Sequence, residues 1–357
     1  MAYAGYEMDL YRPEFRSQVV SLLQHLWGDD PEVNLSYFQW KYDDNPYTES
    51  PLGIVALHRG QVVGFRGYFA ARFEILGKTN DLIVLCPGDT CVHPDHRQKG
   101  LSVAMGNTAM KEYAQEYRIL LNLSCTRNSL PGYQRMGFLP IAEKVYLTRC
   151  TLLGLVKYIL AARENTLLEA SRIRFGRFGD ILVSGTPRPG EMSALFFGRD
   201  RKDDKIRLFQ DEGFFRWRFG NQRQKYMFYY LIQGDVATGY VVMGVSPNNQ
   251  RGYILDYAEG DGQAIREILS YIIKMRHFDI LSIYSFCLDD AFQRTLGGLG
   301  FRKNSLVRVI ERKLYGELPL LIRPVKETYT ESDFFIEGVD MRRIENWLLK
   351  PICSDAA

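Results

Sequence analysis

The sequence predicts an α+β fold in two related units, each a mixed, mostly antiparallel twisted sheet flanked by helices. Three observations carry this. The chain of 357 residues exceeds one ordinary domain and suits two. Residues 82–117 read as a strand, a polar loop and a helix, the unit from which α/β connections are built. Finally, Tyr37-Phe38-Gln39-Trp40-Lys41-Tyr42 returns as Phe214-Phe215-Arg216-Trp217-Arg218-Phe219, with the tryptophans 177 positions apart, which marks an internal duplication.

Composition narrows the class of protein. With 46% hydrophobic and 24% charged residues and no apolar run long enough to span a bilayer, the chain reads as globular and cytoplasmic, and Glu7 and Asp9 near the start do not fit a signal peptide. A net charge of +3 from 45 basic and 42 acidic residues excludes a protein that coats nucleic acid, but leaves room for one phosphorylated ligand. The six cysteines are scattered through apolar segments and fit reduced, buried thiols. Cys86, Cys91, His93 and His96 crowd together, but zinc takes its ligands from separated pairs, so no metal is expected.

In chain order, Arg12 to Trp27 predicts an amphipathic helix with Phe15, Val19, Leu22, Leu23 and Leu26 on one stripe. The aromatic segment from Tyr37 predicts a helix pinned by Phe38 and Trp40 and ended at Asn45-Pro46, with the polar ends of Lys41 and Tyr42 available to a ligand. Gly53 to His58 and Gln61 to Tyr68 predict a hairpin turning at Arg59-Gly60. Arg66 interrupts this second strand and belongs either to a solvent face or to a functional cleft. Phe69 to Leu76 extends the meander. The strand from Leu82 meets Pro87-Gly88-Asp89-Thr90, where Pro and Gly predict a bulge.

The loop that follows is suited to an anion. Arg97-Gln98-Lys99-Gly100-Leu101-Ser102 offers consecutive N–H groups at a helix start, where unpaired donors and the positive dipole end favour phosphate. Gly100 and the small Ser102 allow close approach. A second strand, Ile119 to Cys125, precedes Asn128 and then Tyr133-Gln134-Arg135-Met136-Gly137-Phe138.

These residues resemble the GNAT acyl-CoA acyltransferases. Arg97 to Ser102 matches that superfamily's Arg/Gln-x-x-Gly-x-Gly/Ala pyrophosphate loop, and Asn128 with Tyr133-x-x-x-Gly137-Phe138 matches its second motif at nearly the same distance. The resemblance implies a tandem GNAT-like fold with acetyl-CoA or a longer acyl-CoA as donor, held by Val92, the loop from Arg97 to Ser102, Asn128 and Tyr133. It implies that the strand bulged near Pro87 splays from its neighbour to receive pantetheine. A main-chain N–H near Val92 would then stabilise the oxyanion, and Tyr133 would protonate the leaving thiolate.

Asp89 is the nearest carboxylate. It can accept the amine's proton, bind the amine, or simply cap the turn after Pro-Gly. Ser124 can orient a water. His93 and His96 flank the loop at positions the superfamily seldom uses. Lys41, Tyr42, Arg66, Asp89 and Ser124 are therefore the candidate acceptor contacts, with Asp89 and Tyr133 the candidate catalytic groups.

Val145, Leu147 and Arg149 are expected to close a catalytic unit over residues 1–150. Leu152 to Ile173 predicts a basic, apolar helix packed between units, so residues 151–190 are a helical linker, with a loop at Thr186 to Gly190. A degenerate unit then spans residues 191–320. Its hairpin turns at Gly234-Asp235, and Phe292-Gln293-Arg294 with Gly300-Phe301 echoes the Tyr133 motif. Its phosphate loop is absent, because Asp256-Tyr257-Ala258-Glu259-Gly260-Asp261 stands in that place and would repel phosphate. Residues 321–357 form a tail whose Trp347-Leu348-Leu349 docks on the body.

The tandem order, active half first, is similar to sugar N-acyltransferases of surface-polysaccharide synthesis, which act on nucleotide-linked, typically dTDP-activated, amino-deoxy sugars. The resemblance leaves the sugar, the acyl length and a possible homo-oligomer open. An aminoacyl or thiol-cofactor acyltransferase and a non-catalytic acyl-CoA sensor are the alternatives.

Overall fold

The computed structural model describes residues 5–75, 77–159, 171–175, 179–198, 205–260, 262–303, 309 and 318–354. In chain order the elements are β1 (Glu7–Leu10), α1 (Arg16–Trp27), α2 (Pro31–Phe38), β2 (Leu52–His58), β3 (Gln61–Ile75), β4 (Thr79–Val92), α3 (Leu101–Glu112), β5 (Ile119–Asn122), α4 (Leu130–Arg135), β6 (Leu139–Glu143) and β7 (Val145–Cys150). There follow α5 (Leu152–Ile159), β8 (Ser171–Phe175), β9 (Gly179–Ser184), α6 (Pro189–Phe197), β10 (Ile206–Leu208), α7 (Glu212–Arg218), β11 (Lys225–Gln233), β12 (Val236–Val245), β13 (Arg251–Glu259), α8 (Ala264–Lys274), β14 (Ile280–Ser285) and α9 (Asp290–Gly298). The chain ends with β15 (Pro319–Pro324), β16 (Phe335–Ile336), β17 (Val339–Asp340) and β18 (Trp347–Leu348).

Two large sheets organise these elements. The first runs β1-β2-β3-β4-β5-β15-β6, with β10 on the far end of β3 and β18 on β10; the second runs β7-β14-β13-β12-β11-β9-β8. In both, an antiparallel meander leads to one parallel neighbour, β5 beside β4 and β14 beside β13. The two units therefore repeat one topology. The Arg59-Gly60 turn of the first hairpin needs left-handed backbone at both residues, φ 52 and 77, a twist that matches the flanking strands.

The units exchange strands. β7 pairs with β14 over six residues, Val145 opposite Ser285 to Cys150 opposite Ile280, so it belongs to the second sheet. β15, from the far end of the chain, enters the first sheet between β5 and β6. The expectation that Val145 to Arg149 closes the first unit is corrected accordingly, as is the assignment of the chain after 320 to a mere tail. Alternating apolar residues specify a strand and its buried face, but not which edge it joins.

The linker is corrected too. Among the described residues of 151–188, helix covers Leu152–Ile159. Residues 160–170 lie outside the described residues, and β8 and β9 are edge strands of the second sheet. The loop expected at Thr186 to Gly190 ends at Pro189, where the fixed φ of proline starts α6. The remaining tail does dock, with Trp347 and Leu349 buried.

The largest core lies between the sheets and draws on both: Phe69, Phe73, Val84 and Leu121 from the first, Phe228, Tyr230, Tyr240 and Val242 from the second, and Trp347 and Ile352 from the tail. At its edge the duplicated tryptophans meet. Trp40 and Trp217 stack at 5.7 Å and 14°, and each indole N–H donates to the other's carbonyl, at 2.7 and 2.8 Å. Such reciprocity is what a local two-fold axis produces. It also satisfies two partly buried indole donors.

Candidate active site

The site begins where β4 bends. Arg66 pairs with Thr90 and Tyr68 with Pro87, so Gly67 alone faces Gly88 and Asp89: the bulge expected from Pro87-Gly88. β4 touches β5 in register only at Leu85 opposite Leu120, and beyond that point the strands part. The splay leaves one edge of β4 unpaired between Asp89 and Val92. Its far end leads through His93 to Arg97 into the loop, where Gln98 (φ 61) and Gly100 (φ 75) are left-handed and Gly100 caps α3. The first N–H groups of α3 lack intrahelical partners, and left-handed residues in such a turn gather N–H groups into an anion-binding concavity. Arg97 is tied back by its Nε to the Val92 carbonyl at 3.1 Å, and Lys99 by its Nζ to the Tyr6 hydroxyl at 2.9 Å.

Asp89 is saturated. Oδ1 accepts from Trp27 Nε1 at 2.9 Å; Oδ2 accepts from Lys41 Nζ at 2.6 Å and Tyr42 Oη at 2.8 Å. Burial alone would raise its pKa, but the Lys41 ammonium and the three hydrogen bonds override that and hold it below the usual carboxylate range. A carboxylate so stabilised is a poor base and a durable anion. Lys41 and Tyr42 are fully buried behind it, 1% exposed each, so the expectation that they face a ligand is corrected: the π-helical turn Gln39–Asp43 rotates both toward the bulge. Gly67 and Gly88 make room for them, since a Cβ on either would press on the Tyr42 hydroxyl.

A cavity of about 480 Å³ opens beside the bulge. Its lining includes Gly88, Asp89 and Thr90 of β4, Ser124, Thr126 and Ser129 after β5, and Tyr133 of α4. Leu26, Trp27 and Tyr37 wall it from α1 and α2, and Asn221, Arg223 and Gln224 from the second unit. Of the expected acceptor contacts, Asp89 and Ser124 line the cavity, as does Tyr133. Arg66 does not: it is 1% exposed, beneath α3 and Tyr133. Asn128 is exposed in the turn before α4. His93 and His96 lie outside the lining, His96 bonded through Nδ1 to the Tyr6 hydroxyl at 2.8 Å. The three second-unit residues carried no motif, and only their polarity ahead of a strand could have drawn notice.

The second unit repeats the bulge but not the cradle. Its sheet slips register between Val242 and Met243, and Asp256 stands there with Lys350 Nζ at 2.5 Å, Tyr240 Oη at 2.8 Å and Gln210 Nε2 at 2.8 Å. The acidic run expected to replace the loop is corrected in position: Asp256 to Glu259 are still strand, and Asp261 lies outside the described residues. The connection to α8 is residues 260–263, against 93–100 in the first unit. Glu259 accepts from the Ile265 N–H at 2.9 Å, so the protein's own carboxylate sits at that helix start. Tail residues fill the second splay, with Leu349 and Trp347 carbonyls held by Ser285 and Cys287.

Residues 7–141 match the family model of the acetyltransferase (GNAT) domain. Among curated proteins, none matches the chain. Solved structures are similar over most of its length. A probable N-acyltransferase of unknown function from Enterococcus faecalis V583 has TM-score 0.62 and 13% identity, over 92% of this chain and 74% of that one. A GCN5-related N-acetyltransferase from Anabaena variabilis ATCC 29413 has TM-score 0.59 and 13% identity, over 90% and 73%. A tandem GNAT protein from the clavulanic acid biosynthesis pathway has TM-score 0.53 and 12% identity, over 91% of this chain and 100% of that one. Residues 7–141 therefore carry a GNAT acetyltransferase domain, and the chain has the GNAT fold in tandem. By that domain its class is that of the acyl-CoA-dependent N-acyltransferases. No helix among the described residues is long and apolar enough to cross a membrane.

Proposed function

We propose that the protein transfers the acyl group of acetyl-CoA or a longer acyl-CoA to the amino group of a nucleotide-linked amino-deoxy sugar, dTDP-activated in the first instance. One observation carries this reading: a cavity lined by both units holds a lasting anion and a cation on the same residue, Trp27. Its indole binds Asp89, and its carbonyl accepts from Arg223, whose guanidinium lies 4.9 Å over the Tyr37 ring. An acceptor with an amine at one end and a diphosphate at the other matches both charges. Ser124, Thr126, Ser129, Asn221 and Gln224 offer partners for sugar hydroxyls.

In this reading the loop from Arg97 to Ser102 and α3 hold the donor's diphosphate, with Asn128 beside the pantetheine path. A main-chain N–H near Val92 faces the developing oxyanion. Asp89 orients the amine rather than abstracting its proton, which leaves to water, with Ser124 to order it. Tyr133 gives a proton to the departing thiolate. The test is CoA release by purified protein with a panel of nucleotide-linked amino sugars. Arg223→Ala should raise the acceptor KM roughly 10- to 150-fold, the worth of a charge-assisted hydrogen bond, and leave the acyl-CoA KM unchanged. No turnover across the panel removes the proposal.

A further inference from the structure

Arg66 is a buried cation that the acceptor cavity does not touch. β3 turns it toward α3, where it lies beside Gly106, whose missing Cβ leaves room for the Met136 sulphur that packs there. Nε donates to the Tyr68 hydroxyl at 2.9 Å, and Nη1 reaches the Ser102 carbonyl and hydroxyl at 3.4 and 3.5 Å. Nη2 is buried and makes no hydrogen bond among the described residues. The guanidinium carbon stands 4.8 Å over the Tyr133 ring, with the Tyr133 hydroxyl in reach of the same group. No carboxylate is paired with it among the described residues. A desolvated cation without a counter-charge is costly, and such a group in a native fold calls for an explanation.

We infer that Arg66 is a positioning residue for Tyr133, holding the ring at the end of the diphosphate loop and compensating the negative charge Tyr133 acquires when it protonates the leaving group. The inference rests on Tyr133 being the proton donor. The acceptor nitrogen bonds to the acyl carbon and loses a proton to water. The thioester C–S bond breaks with its electron pair on sulphur, which takes the Tyr133 proton to become a thiol. The phenolate left behind faces the Arg66 charge until water reprotonates it. The other titratable or charged groups around Tyr133 are Tyr68 on β3, Asp89 across the cavity on β4, Cys125 after β5, Tyr113 at the end of α3 and Arg323 on β15. Among the described residues the cation seen over the Tyr133 ring is Arg66, at 4.8 Å.

The experiment is the pH dependence of kcat in wild type, Arg66→Gln, Arg66→Lys and Tyr133→Phe, with the Arg66→Gln/Tyr133→Phe pair. Removing a cation at this range should move the alkaline limb up by roughly 1–3 pH units, and Arg66→Lys should return it to near the wild-type position. With Tyr133 already replaced, Arg66→Gln should change kcat less than about twofold. The inference is overturned if the limb stays put in Arg66→Gln, or if that change costs as much in the Tyr133→Phe background as in wild type. Should Arg66→Gln not fold, Arg66→Lys decides alone: a limb moved by more than about one unit overturns the inference. Full kcat in Tyr133→Phe would instead sink the proton-donor reading, a different and separable failure.

Discussion

Lys41→Met tests the bulge directly. The substitution keeps the side chain's length and apolar stem, so the packing loss is small, and what disappears is the ammonium 2.6 Å from Asp89. Asp89 keeps Trp27 and Tyr42 as donors. Deleting one partner of a buried pair costs about 3–5 kcal/mol because the surviving charge stays desolvated. The Asp89 side chain is still 13% exposed toward the cavity, which puts the expected loss at the lower end, about 3 kcal/mol. The pH dependence has a definite sign. In wild type the Asp89 carboxyl titrates below its ordinary range, so its contribution is present above about pH 4 and lost as pH falls through the folded value. In Lys41→Met burial is no longer opposed by the cation, the carboxyl titrates higher, and it can discharge by taking a proton. The gap between the two proteins should be widest near neutral pH and narrow toward about pH 4. Urea unfolding at both pH values measures it. A deficit under about 1 kcal/mol at neutral pH, or one that does not change with pH, would refute the reasoning.

Two further outcomes follow from the packing. Trp40→Ala and Trp217→Ala should each cost about 3–5 kcal/mol, and the double variant should cost less than the sum by more than about 1 kcal/mol, because each removes a donor and an acceptor of the same reciprocal pair; strict additivity in urea unfolding would contradict the local two-fold contact. Burial pushes the Cys353 thiol up to about 12 and the Cys91 thiol up to about 11, so iodoacetamide near pH 8 should spare both while alkylating the half-buried Cys150. Peptide mapping that finds Cys353 modified as fast as Cys150 would overturn the packing of the tail.

The first unit was legible because local chemistry writes it. A bulge needs Pro87-Gly88, an anion cradle needs Gly100, and the Gly137-Phe138 and Gly300-Phe301 turns need left-handed glycines, with φ 77 and 86. The Trp40 and Trp217 echo was visible as spacing, yet nothing in a spacing says that the two rings meet. What stayed hidden is non-local. The exchange of β7 and β15 changes no residue's periodicity, only its partner. Ser171 to Phe175 sits in a stretch whose apolar content suits a helix as well as a strand, and the sheet edge decided it. Lys41 and Tyr42 have polar ends, but the π-turn at Gln39–Asp43 aims those ends inward. Asp256 is met by a lysine from the end of the chain and a tyrosine of β12, not by the duplicated positions of Lys41 and Tyr42, which are Arg218 and Phe219, so a buried carboxylate at the bulge is partnered in both units from different places in the sequence.

In the proposed mechanism one helix start, at Gly100, grips a diphosphate, whereas at its counterpart the Glu259 carboxylate accepts from the Ile265 N–H. Calorimetric titration with coenzyme A tests it most directly. One molecule should bind per chain, binding should be abolished by Gly100→Asp, which adds both a strained left-handed side chain and a like charge, and Glu259→Gln should leave it unchanged. Two molecules per chain, none, or a titration that survives Gly100→Asp and disappears with Glu259→Gln would contradict it.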